Sequence, residues 1–399
     1  KINRKIMQKK LSIVLAGALL FGHSAFSENK LTPELMWKLG RVSEPQVSPS
    51  GSQVLYGVTY YDVKENKGNR DLYVISINGG APLKITTTPK SENNAVWRPD
   101  GKKIAYLSSE TGSSQIWEIN PDGTGKVQVS NIEGGLDGFN YSADMKKIVF
   151  IQSVKLDKTI NELYPDLPLT QGKIIDDLMY RHWDSWEDDS YSHVFFATYS
   201  DGKMNNDVKD IMKGERFDAP LQPMGGMEQI AISPDGKIIA YTSKKLSGKA
   251  YATSTNSDIY LYNIETGATV NLTEGMKGYD NEPSFSPDGS KISWLSMETD
   301  GYESDKNRLF VYEFATKKKT ELTSQLDQNV GSTQWSKDGK SIFFISGVKA
   351  TEQIYSVDLK SGNLKQYTKG DHDYTAISLT GNAIVGTKMS ISLPTELFK

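Results

Sequence analysis

Cysteine is absent from this chain, and histidine occurs only four times, as His23, His182, His193 and His372. The first absence excludes disulfides, thiol catalysis and thiolate metal sites. The second leaves little imidazole chemistry. His182 and His193 have no third ligand at a recognisable spacing, so neither a metal nor another cofactor is expected. No Gly-x-Ser-x-Gly pentapeptide occurs, so the strained turn that carries one large class of serine nucleophiles is missing. Apart from Leu11 to Phe21, which is too short to span a membrane, no long apolar run stands out. Charge of one sign is lacking too: 46 basic residues face 49 acidic ones. Five of the basic residues fall within positions 1–27, which hold no acid. The remainder has 41 basic against 49 acidic, or −8. Such a body does not invite nucleic acid.

What is present is a repeat. Seven related phrases end at Gly51, Gly101, Met145, Gly236, Gly289, Gly339 and Gly381, the fullest reading Ser-Pro-Asp-Gly. Most are 42 to 53 residues apart; one gap is 91. Proline fixes φ at the first turn position, and Asp-Gly supplies a side-chain hydrogen bond and a left-handed residue. An apolar run follows each turn, such as Ile238-Ile239-Ala240-Tyr241, and reads as a blade's inner strand. A further strand comes next, then a polar strand ending in threonine or serine, as at Thr273 and Thr323. A four-stranded unit recurring at this period predicts an all-β, seven-bladed β-propeller. The long gap holds either a cryptic eighth unit or one blade with a large insertion.

Residues 1–27 read as a secretory leader: Lys9-Lys10, the apolar core, then Ala25-Phe26-Ser27 at a cleavage site. An exported, periplasmic protein follows, with no membrane span once the leader is removed. Thr32-Pro33-Glu34 predicts a short helix start, with threonine as cap and proline in the first turn. The propeller then occupies 28–399, with blades beginning near 42, 92, 134, 226, 280, 329 and 373, and an insertion at 155–192 in blade three. The last blade is expected to be incomplete. Asn271-Leu272-Thr273 fits a glycosylation sequon but falls on a blade strand and reads as coincidence.

Leu31-Thr32-Pro33-Glu34-Leu35-Met36-Trp37, Arg41-Val42-Ser43-Glu44-Pro45, Arg181-His182-Trp183-Asp184-Ser185-Trp186 and Pro394-Thr395-Glu396-Leu397 together resemble the propeller of prolyl oligopeptidase-family serine peptidases, the dipeptidyl peptidase V and acylaminoacyl-peptidase branch. The resemblance covers essentially the whole mature chain. It implies a catalytic α/β-hydrolase domain after Lys399, carrying a Ser-Asp-His triad of which this chain holds nothing, so that the chain alone should be inactive. It also implies short peptides as substrates, and it leaves homodimerisation of the longer protein open.

The same resemblance makes the acids of the insertion candidates for holding a substrate's free amino terminus. Glu187, Asp188 and Asp189 are the carboxylates, Trp183 and Trp186 the walls, and Arg181 a partner for a substrate carbonyl or, more simply, for Asp184. Equally open is that both tryptophans pack the insertion onto its blade while the acids face water. Two functions follow. One is the recognition and gating portion of an exported serine exopeptidase. The other is a non-catalytic periplasmic propeller of the TolB type that binds protein partners.

Overall fold

The computed structural model describes residues 31–187, 189–200 and 202–399. The leader assigned to 1–27 and the acid Asp188 lie outside the described residues. Seven antiparallel sheets succeed one another as the blades of a propeller. Their first strands begin at Arg41, Asn93, Gly138, Ile230, Asp280, Val330 and Asp373, close to the blade starts that the repeat predicts. The seventh sheet has three strands, Asp373–Leu379, Ile384–Ser390 and Leu393–Phe398.

The repeated turn owes its wording to one hydrogen-bond pattern. Ser233 Oγ donates to Asp235 Oδ1 at 2.6 Å, the Ile238 amide donates to Ser233 Oγ at 2.9 Å, and Gly236 takes φ +69°. Ser286 with Asp288 and Ser336 with Asp338 repeat it. Blade three keeps the pattern with Met145 in the glycine position at φ +56°, a conformation that disfavours a side chain. In blade two Arg98 replaces the serine and grips Asp100 through two nitrogens, at 2.9 and 2.8 Å.

One assignment changes. The apolar run after each turn is the second strand of its blade, and the innermost strand precedes the turn. The physical reason is cover. Second strands such as Ile104–Ser108 are buried along their whole length between neighbouring sheets. Inner strands such as Val330–Trp335 face the central channel on one side and are mostly half-buried. The long gap is also resolved. It is one blade with an insertion between Lys147–Lys155 and Ser190–Ser200, followed by a long crossover into blade four.

Successive strands alternate in direction, so the disc has two unlike faces. The Asp-Gly turns and the hairpins joining third to fourth strands lie on one, here the turn face. The hairpins joining second to third strands and the crossovers between blades lie on the other, the hairpin face. The helix Pro33–Lys38 belongs to the hairpin face, capped as expected: the Leu35 amide donates to Thr32 Oγ1 at 3.2 Å. Two further short helices, Ile160–Leu163 and Gly248–Thr253, were not legible from the repeat and also lie there.

The ring closes where blade one meets blade seven. The Val47 amide donates to Ser378 Oγ at 2.9 Å, and the first strand of blade one packs against all three strands of blade seven. Among the described residues no strand of either blade joins the other's sheet. The sequon at Asn271 is structural: the Thr273 hydroxyl is fully buried and accepts the Ile259 amide at 3.0 Å.

Candidate functional site

The insertion leaves blade three through a charged base. Lys155 pairs with Glu162 and lies 3.8 Å from Asp189. Arg216, from the crossover, forks onto Asp157 at 2.8 and 3.1 Å. Beyond this base, Arg181–His182 and Ser185–Trp186 form a two-stranded hairpin with Trp183 at its turn, φ +51°. Trp183 is 66% and Trp186 47% exposed, so neither pins the insertion to its blade. Trp186 instead stacks on Tyr180, ring centres 6.3 Å apart, with Lys173 and Arg181 over its ring. Arg181 Nε donates to the Trp183 carbonyl at 2.6 Å. The guanidinium is therefore used by the hairpin itself rather than by Asp184.

The next residue, Glu187, turns inward. Its amide donates to the Tyr180 carbonyl at 3.1 Å, and its carboxylate lies near the side chain of Tyr251, on the helix Gly248–Thr253 of blade four. Its Oε1 is buried with no hydrogen-bond partner. Burial pushes the carboxyl up to about 7, and the charge of Asp218 adds to the effect; Lys244 and the tyrosine oppose it. Asp218 itself comes from the crossover. It accepts the Ser192 amide at 2.7 Å, yet burial raises it to about 6. Lys244 donates to the Tyr251 carbonyl at 2.5 Å and lies 4.2 Å from the centre of its ring; burial lowers its pKa.

Two half-buried carboxylates that repel each other, one with an unused oxygen, form a setting in which an ammonium group gains strong charge-assisted hydrogen bonds. Of the acids singled out in the sequence, Glu187 faces this space, and Asp189 sits at the insertion's base beside Lys155. Asp218, Tyr251 and Lys244 complete the cluster. They carry no motif, and only the meeting of blades three and four unites them. His182 lies edge-on to Trp183 at 4.8 Å, while His193 is buried in blade three, 2.9 Å from Asp210 and from the Glu215 carbonyl, and its charge favours the ionised form of Asp218. Burial works against the charged imidazole, but those partners raise its pKa overall. Among the described residues no three His, Asp or Glu side chains converge as metal ligands would.

The sequence profile of the TolB beta propeller domain matches residues 34–229 and 229–394. Dipeptidyl-peptidase 5 of Porphyromonas gingivalis is 43% identical over 399 residues, covering 100% of this chain and 58% of that protein. Dipeptidyl-peptidase 5 of Porphyromonas endodontalis is 42% identical, covering 92% and 53%. The chain thus spans a little over half the length of these relatives. Among solved structures, Pyrococcus horikoshii acylaminoacyl peptidase superposes with a TM-score of 0.67 at 15% identity, over 91% of this chain and 51% of that one. The β-propeller domain of the Trilobed protease from Pyrococcus furiosus gives 0.58 at 17%, over 90% and 93%. At such identities these likenesses speak to the fold alone.

Proposed function

Since the chain belongs to the TolB beta propeller domain family, and runs parallel to dipeptidyl-peptidase 5 from end to end, we propose that it is the propeller portion of an exported dipeptidyl-peptidase-type serine peptidase. The observation that carries this reading is 43% identity sustained along the whole chain. The propeller admits and positions short peptides, and a hydrolase domain beyond residue 399 performs the acyl transfer through its serine, histidine and aspartate. The leader of residues 1–27 directs the protein to the periplasm.

Two features of the surface support a docked catalytic domain. Exposed large apolar side chains gather on the hairpin face: Leu35, Met36 and Trp37 of the first helix beside Tyr60, Tyr61 and Val63 of blade one, and a second group on the insertion. Among the described residues, none lies in the Asp-Gly turns of the opposite face. Exposed apolar groups of this kind mark an interface. The Glu187–Asp218 cluster opens on the same face and suits a peptide's free amino terminus.

The test is turnover by the full-length protein. It should release dipeptides from chromogenic dipeptidyl amides and be silenced by a serine-directed covalent inhibitor, while residues 1–399 alone give background. Glu187→Gln should lower kcat/KM for free-amine substrates by roughly ten- to a hundredfold and spare N-acylated ones. A full-length protein without such turnover overturns the reading and favours a non-catalytic, TolB-like role in binding protein partners.

A further inference from the structure

The crossover from blade three to blade four is unlike the others. It runs for 19 residues, 211–229, where the other crossovers use six to nine. Its last part does not simply return to the ring. The short 3-10 helix Met227–Gln229 touches the inner strands of three consecutive blades: Gly138–Tyr141, Ile230–Ile232 and Asp280–Phe285. Inner strands line a propeller's channel, so this segment lies along the channel mouth on the hairpin face.

The segment is held rigidly. The Gly225 amide donates to the Leu221 carbonyl at 2.7 Å, and the Leu221 amide to Gln229 Oε1 at 2.9 Å. A Cβ on Gly225 would stand 2.5 Å from the Leu221 carbonyl oxygen, so only glycine fits this loop. On the side of blade three it is anchored. Met227 lies against Gly138, its Cγ 2.7 Å from where a Cβ there would be. On the side of blade five it also packs against the strand Asp280–Phe285, where Glu228 comes near Glu282. Burial and this like charge raise the Glu282 pKa. At the crest of the loop Met224 is 76% exposed. A large apolar side chain displayed on a preorganised loop can contact a partner without first being ordered.

We propose that Leu221–Gln229 is a fixed strap across the channel mouth that limits the width of peptide that can pass, and that Met224 is the side chain the peptide meets. The identity of the passenger as a peptide rests on the function proposed above; the strap itself rests on the geometry. In this role Met224 and Met227 are specificity and positioning residues, and neither takes part in bond cleavage.

Two experiments on the full-length protein test it. In the first, Leu221–Gly226 is replaced by a glycine pair, and Met227→Ala loosens the anchor separately. The ratio of kcat/KM for a long unstructured peptide to that for a dipeptidyl amide should rise by at least about tenfold in the replacement and partway in Met227→Ala. The short substrate should be unaffected. An unchanged ratio in an active enzyme overturns the strap. A wild-type enzyme that cleaves neither substrate overturns the proposed function instead. The second experiment does not depend on catalysis. Because the chain has no cysteine, Met224→Cys offers a unique site within it for an environment-sensitive thiol dye. Adding the long unstructured peptide should shift the dye's emission, with Lys102→Cys on the turn face as the unresponsive control. No shift at position 224 overturns the strap whatever the enzyme does.

Discussion

The Thr323 hydroxyl accepts the Leu309 amide at 2.9 Å from 14 positions along the chain. The same bond recurs as Leu72 to Thr86, Ile116 to Ser130, Ile259 to Thr273 and Ile354 to Thr368. In five of the blades a hydroxyl just past the short outer strand thus takes an amide of the third strand that the ladder leaves over. This is why the repeat ends on threonine or serine. Thr323→Val keeps the shape and strands the amide, at a cost of about 1–3 kcal/mol, whereas Thr323→Ser should cost much less. Chemical denaturation of the three proteins checks this. Equal stability of Val and Ser variants would show the hydroxyl to be dispensable.

At the junction of blades one and two the same threonine passes its hydrogen on. Thr86 Oγ1 donates to Glu92 Oε2 at 2.7 Å and Thr88 Oγ1 to Oε1 at 2.6 Å. Glu92 is fully buried. Burial pushes it up to about 7 against those two bonds, and the nearby charges of Asp71 and Glu110 add to the rise. A carboxyl whose folded pKa is raised holds its proton more tightly in the folded protein. Its contribution to stability is therefore present at low pH and is lost as pH climbs from about 4.5 through about 7. Glu92→Gln should remove part of that slope, on the order of 2 kcal/mol across the window. Melting temperatures at pH 5 and pH 8 supply the measurement, and parallel profiles for both proteins would contradict it.

Amine recognition should have its own pH dependence. Glu187 must be ionised to hold an ammonium group, and with its pKa near 7 the KM for free-amine substrates should fall as pH rises through that value. Asp218→Asn removes the repulsion that helps to keep Glu187 protonated. The midpoint should move to lower pH, even as one carboxylate is lost from the cluster. A midpoint that stays in place would mean that the two carboxylates are not coupled.

Asn94 joins blades two and three with both ends of its side-chain amide. Nδ2 donates to the Phe139 carbonyl at 3.1 Å, and Oδ1 accepts the Phe139 amide at 2.9 Å. Its own φ is +46°, which asparagine tolerates better than most residues. Asn94→Ala should therefore cost more than a single hydrogen bond, about 2 kcal/mol. Asn94→Gly should recover the backbone part. If glycine is no better than alanine by denaturation, the bridging amide alone accounts for the loss.

The periodic features were legible because they are local. Ser233, Asp235 and Gly236 make their turn among themselves, so seven blades can be counted from the letters alone. Which strand lines the channel was not legible, because the apolar run Ile238-Ile239-Ala240-Tyr241 looks the same wherever the ring places it. Glu187 could be singled out within its acidic run, but its inward turn brings it to Tyr251 of the next blade, which the local letters do not show. Asp218 stands before Ala219 and Pro220 with no pattern around it, and the channel strap has no repeat to betray it. Both come from a crossover whose shape is set by contacts with distant strands.

The seam between Val47 and Ser378 joins positions 331 apart, and this has a consequence for biosynthesis. A chain made from its amino end carries blade one long before its neighbour on that side exists. Throughout that interval one flank of blade one, with the first strand Arg41–Val47, lacks its partner sheet. Closure requires the whole intervening chain and comes late, as a long-range contact must after its loop entropy has been met. The flank of blade one is thus open to misassociation from its own synthesis until the ring closes, and a chaperone that shields it would act throughout that interval.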